Sequence, residues 1–165
     1  MRFFVRVRFI VPGISLLVLV ASCGPADRSP APPETFDVDA QVAAWVELWN
    51  TRDLALVDEL FLNDSSVTYF SSEREGLIQG FDAVRAHHEG FGFVEGGTEP
   101  DQELWVEDVW SAVFGDAAVV GAIWLFGDRA APPESISRGP MTVVYVWAGD
   151  RYRIAHMHFA EYPPD

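Results

Sequence analysis

Hydrophobic and polar positions follow a helical rhythm in the first half of the chain and a two-residue rhythm in the second. In the segment FDVDAQVAAWVELWN, Val42, Trp45, Val46 and Trp49 recur at i, i+3, i+4 and i+7. That spacing predicts a helix over residues 36–50, with Asp37 or Asp39 able to cap its start. A second, short helix is expected from Asp53, turning Leu54, Val57, Leu60 and Phe61 inward. The β-branched and aromatic run SVTYFSS, residues 66–72, reads as a strand. Residues 76–80 turn the chain. Asp82 is placed to cap a third helix, DAVRAHHEGF, whose Val84, His87, His88 and Phe91 share a face.

After the glycine-rich loop FGFVEGGTEPD the period becomes two. Four strands are expected: 104–114, 117–127, 140–148 and 152–162. Gly115-Asp116 joins the first pair and Gly149-Asp150 the last, as hairpins. The order helix, helix, strand, helix, then four antiparallel strands defines an α+β class: a curved sheet wrapped around three helices. In AAVVGAIWLFG both strand parities are apolar, and in MTVVYVW nearly so. A strand apolar on both faces has to be covered on both, and three helices cover one. A second subunit is expected over the outer sheet face, giving a homodimer.

The beginning of the chain has another character. Arg2, Arg6 and Arg8 precede an apolar stretch from Phe9 to Val20, then Val20-Ala21-Ser22-Cys23-Gly24. This reads as a bacterial lipoprotein signal over residues 1–22, with a lipid on Cys23, the single cysteine of the chain. Residues 23–34, rich in proline and small polar side chains, form a tether. Residues 35–165 form one domain, of ordinary size for one hydrophobic core. The expected location is the bacterial cell envelope, lipid-anchored and outside the cytoplasm. The net charge of −14 becomes −17 once the three signal arginines are removed, leaving 8 basic against 25 acidic residues. So acidic a chain repels phosphate backbones, and nucleic acid is excluded as a partner.

The closing strand, with its His156-Met157-His158, carries the candidate chemistry. Strict alternation places Tyr152, Ile154, His156 and His158 on one face, and Arg151, Arg153, Ala155, Met157 and Phe159 on the other. The two arginines mark the second set as outer. His156 and His158 are therefore expected inside, with Met157 and Phe159 joining the dimer patch. A histidine in a pocket suits general acid–base work near neutrality. His158 is the first candidate and His156 the second. Asp108 is a third, if it lies between Val106 and Trp110 on the inner face; the opposite parity is apolar too. A metal centre would need His87 or His88 and a carboxylate to join the pair, and no metal or other cofactor is expected.

Taken in order, AAWVELWNTRD, SVTYF, GLIQGFDAVRAHHEGF and a four-strand meander ending YRIAHMHFAEY resemble the nuclear transport factor 2-like superfamily. The resemblance is to its SnoaL-like and calcium/calmodulin-kinase association-domain-like branch, over about residues 36–162. It implies a cone enclosing an apolar pocket, dimerisation through the outer sheet face, and either cofactor-independent isomerase, cyclase or dehydratase chemistry or simple binding. The isomerase branch carries an aspartate in the first strand, where this chain has Tyr69, and an acid on the strand before the last hairpin, where this chain has MTVVYVW. The expected role is therefore the binding of a small hydrophobic molecule, with Trp49, Tyr69, His87, His88 and Trp124 as pocket residues. Catalysis by a pocket histidine, or pure dimeric assembly, are the alternatives.

Overall fold

The computed structural model describes residues 30–33 and 35–163. The signal segment, Cys23 and most of the tether lie outside the described residues. Three helices are present: α1 (Val38–Thr51), α2 (Leu54–Leu60) and α3 (Phe81–Gly90). Six strands form one open sheet: β1 (Thr68–Phe70), β2 (Ile78–Gln79), β3 (Glu103–Phe114), β4 (Ala117–Gly127), β5 (Ser137–Trp147) and β6 (Tyr152–Phe159). Their order is β2-β1-β6-β5-β4-β3. β1 runs parallel to β6, and every other pairing is antiparallel. The layout is the expected α+β one. The addition is β2, two residues drawn from the segment read as a turn.

Helix starts follow the expected chemistry with one correction. The Asp37 carboxylate accepts from the Ala40 N–H at 3.0 Å, and that of Asp53 from the Ala55 N–H at 3.0 Å. Each satisfies a donor that the first helical turn leaves free. The Asp53 carboxylate also accepts from Gly96 N–H at 3.1 Å, tying the loop after α3 to α2. The third helix begins earlier than expected: Gly80 occupies its cap position, and Asp82 lies inside the first turn. Asp82 thus complements the helix dipole instead of capping it.

The helices cover one face of the sheet. Trp45, Leu48, Val57 and Phe61 are fully buried against Ala118, Val120, Val143, Tyr145 and Ile154. Along β4 and β5 the inner residues are the even and odd positions respectively, as the register pairs Val120 with Val143 and Ala118 with Tyr145.

Two β-bulges break the simple alternation. In β3 the register passes from Glu107↔Ile123 to Trp110↔Gly121, so three steps on β3 match two on β4. Asp108 sits at the break with φ +54 and is exposed. The candidate inner position for Asp108 is therefore corrected: its side chain leaves the sheet at a bulge. In β6, Tyr145 pairs with Ile154 but the next residue of β5, Val144, pairs with His156. Ala155 is the extra residue, and it inverts the parity of everything after it.

Met157 and Phe159 therefore face the helices, 0 % and 6 % exposed, in line with Tyr152 and Ile154. His156 and His158 face outward. This overturns the expected inward histidines and outward Met157. The outer face remains apolar, carrying Val119, Ile123 and Val144 beside exposed Phe70, Trp110 and Phe114.

Candidate ligand cavity

The open side of the cone holds a cavity of about 320 Å³, within the range typical of small-molecule sites. Its walls are aromatic. α1 contributes Trp49, β1 Tyr69, β4 Trp124 and Phe126, β6 Phe159, and the end of α3 Phe91. Leu104 completes the apolar wall, and Arg52, Glu73, Ser137 and Glu161 form the rim. Phe159 is the hub of the arrangement. Its ring centre lies 5.3 Å from Trp45, 6.1 Å from Trp49, 6.1 Å from Tyr69 and 5.6 Å from Trp124.

Hydrogen bonds fix the walls at two points. The Asn50 amide donates to the Leu104 carbonyl at 3.0 Å, and its oxygen accepts from the Leu104 N–H at 2.7 Å. This holds the start of β3 against the end of α1. The Trp124 indole N–H donates to the Ala160 carbonyl at 2.9 Å, fixing the segment after β6. A wider depression, lined by residues 133–138 and 161–163, adjoins the rim but is open and largely built of exposed residues.

Two polar groups are set deep in the wall: the Trp49 indole N–H is buried without a hydrogen-bond partner among the described residues, and Tyr69 is 2 % exposed. Burial, with a smaller contribution from Glu73, raises the phenol well above its usual range, so it stays protonated. The Trp49 indole N–H is a donor in the cavity wall without an acceptor.

The four histidines divide between two sides of the sheet. His156 Nδ1 lies 2.8 Å from the Thr68 hydroxyl, and the His156 and His158 rings flank Phe70 at 6.1 and 5.8 Å. Partial burial first, then His158, lowers the His156 pKa. Neither imidazole reaches the cavity. His87 and His88 stand on the helix side, behind the cavity wall. His87 packs on Phe91 at 4.9 Å and Tyr69 at 5.2 Å, and burial chiefly lowers its pKa. His88 is fully buried among Trp49, Phe61, Tyr69 and Phe93.

The His88 Nδ1–H donates to the Val84 carbonyl at 2.8 Å, leaving Nε2 as a buried acceptor without a partner among the described residues. Burial lowers its pKa to about 4. The folded state therefore disfavours the proton that the unfolded chain accepts near pH 6.5. Stability is complete above that pH and is lost as pH falls toward 4. Between pH 7.5 and 5 this group is expected to cost about 2 kcal/mol. Urea titrations should show that slope flattened in His88→Gln; an unchanged slope would assign the pH dependence elsewhere.

Of the residues expected in a pocket, Trp49, Tyr69 and Trp124 line the cavity, His87 and His88 back it, and His156, His158 and Asp108 are outside it. Sequence reasoning missed Phe159, which strict alternation had sent outward. It also missed Leu104 and Phe126, whose parity matches Trp124 once the β3–β4 register is known. Nothing in the sequence marks Arg52, Glu73, Phe91, Ser137 or Glu161 as neighbours, because they come from five separate connections or element ends.

No protein-family model matches the chain, and no curated protein matches it by sequence. Solved structures do. One is assigned to the calcium/calmodulin-dependent protein kinase type II association domains, from Thiobacillus denitrificans. It is 17% identical with TM-score 0.64, over 80% of this chain and 100% of the other. A provisionally assigned ketosteroid isomerase from Parabacteroides distasonis is 17% identical with TM-score 0.62, over 83% and 98%. A protein of the nuclear transport factor 2-like superfamily from Salmonella enterica is 18% identical with TM-score 0.60, over 75% and 87%. The domain is thus an α+β roll with an open, curved sheet around three helices. It has the nuclear transport factor 2-like fold, shared with these structures.

Proposed function

We propose that this chain is a lipid-anchored, extracytoplasmic binding domain that holds one small, largely apolar molecule. The aromatic cavity, with the unpartnered Trp49 indole N–H in its wall, carries the reading. A cavity so lined gains from burying an apolar body, and its few polar groups fix orientation. The lipoprotein-like beginning of the sequence supports the anchor. Placement of the tether supports it too. The Trp147 indole N–H donates to the Pro30 carbonyl at 2.7 Å, at one end of β5, whereas Ser137 at the other end lies on the cavity rim. Strand rise puts about 35 Å between these ends, so a chain anchored through Cys23 would present its mouth away from the membrane.

Catalysis by a pocket histidine has less support, since no imidazole lines the cavity and its carboxylates, Glu73 and Glu161, are exposed. Assembly is a compatible second role. Trp110, Phe114 and Phe70 are 59 %, 65 % and 40 % exposed on the outer sheet face, an apolar surface suited to a second copy of this chain.

Titration with N-phenyl-1-naphthylamine, a neutral ring compound, tests the reading. One-to-one, saturable binding with energy transfer from tryptophan is expected. Absence of saturation up to the solubility limit would contradict it.

A further inference from the structure

The cavity combines an aromatic wall with a negatively charged mouth. Trp49, Tyr69, Phe91, Trp124, Phe126 and Phe159 line it. Aromatic faces carry negative quadrupole density and attract organic cations. At the rim, Arg52 stands against two carboxylates, Glu73 and Glu161. None of the three makes an ion pair among the described residues. The rim is therefore negative by one charge, on a chain whose formal net charge is −14. α1 and α3 both end there, at Arg52 and Phe91, and bring the negative ends of their dipoles to the mouth.

Building on the binding role proposed above, we infer that the preferred ligand is a small organic cation: an alkylated ammonium or protonated amine on an apolar body. Tyr69, 2 % exposed, adds a neutral phenol to the wall. Two features oppose a cation: the unpartnered Trp49 indole N–H, which calls for an acceptor, and Arg52. The Arg52 backbone has φ +50 at the C-cap of α1, where glycine is usual, and its N–H caps the Leu48 carbonyl. A cation at a helix C-terminus complements the dipole, which gives Arg52 a structural reason to be there. One guanidinium does not reverse the sign of the mouth.

Three probes of one size separate the possibilities: (3-hydroxyphenyl)trimethylammonium, its neutral carbon isostere 3-tert-butylphenol, and 3-hydroxybenzoate. The full chain, in nonionic detergent, is titrated with each by calorimetry at low and high salt. The cation is expected to bind roughly tenfold more tightly than the isostere, with the ratio falling at high salt. Glu73→Gln and Glu161→Gln should each lower that ratio about twofold to fivefold. Arg52→Gly, which suits the left-handed backbone and so keeps the fold, should raise it. Equal binding of cation and isostere, or tightest binding of 3-hydroxybenzoate with its loss in Arg52→Gly, would overturn the inference and leave the binding role standing. Failure of all three probes to bind would overturn both.

Discussion

Met157→Asp is expected to unfold the domain. Ala155 is the extra residue that lets β6 present Tyr152 and Ile154 before it, and Met157 and Phe159 after it, to the same core. Unbroken alternation would instead turn Met157 out and bring His156 and His158 inward. Met157 is fully buried. Losing an apolar side chain of this size from a core costs about 2–5 kcal/mol. Burying a carboxyl without partners adds about 1–3 kcal/mol. Together these approach or exceed ~5 kcal/mol, the lower end of the stability of a small domain. His158→Asp, at the exposed neighbouring position, is the control and should cost little. A Met157→Asp chain with native circular dichroism and a urea midpoint close to the parent would refute the inward Met157 that the bulge at Ala155 produces.

Gly139→Val is expected to damage both stability and binding. Gly139 is buried in β5, and a Cβ built on it would lie 2.0 Å from the Ala160 carbonyl oxygen and 2.8 Å from Glu161 Cα. Both are backbone atoms, so no side-chain rotation relieves the clash. The segment after β6 is held there by Ala160 N–H to Pro140 O at 3.1 Å and Tyr162 N–H to Arg138 O at 3.0 Å. Any side chain at 139 lifts this segment. The Trp124 indole then loses the Ala160 carbonyl, and Glu161 leaves the rim. Overpacking and the lost hydrogen bonds suggest a cost of roughly 3 kcal/mol. Urea denaturation measures the loss, and N-phenyl-1-naphthylamine titration should show weaker binding in the population that remains folded. A parent-like midpoint would mean that the close approach of the two backbones is not required.

These two positions show where the sequence was readable. Trp45 and Trp49 were legible because helical spacing survives tertiary packing, and Asp37 and Asp53 because capping is local. The apolar runs located β4 and β5 but, being apolar at both parities, did not name their inner face. Ala155 was not legible. A bulge residue needs no special side chain, yet one unmarked insertion exchanged His158 for Phe159 in the cavity. Asp108 was hidden for the same reason, although its left-handed backbone suits an aspartate. The rim residues depended on where chain ends and loops meet, which no local pattern encodes.

The most direct measurement of the central claim is ligand protection at two positions of the same sheet. With Cys23 replaced by Ala, single cysteines are placed at Phe126, in the cavity wall, and at His158, on the outer face. Each variant is labelled with a hydrophilic thiol reagent with and without saturating N-phenyl-1-naphthylamine. The expected result is slow labelling at 126 that becomes slower still with ligand, and fast labelling at 158 that the ligand leaves unchanged. Protection at 158 with none at 126 would contradict the account.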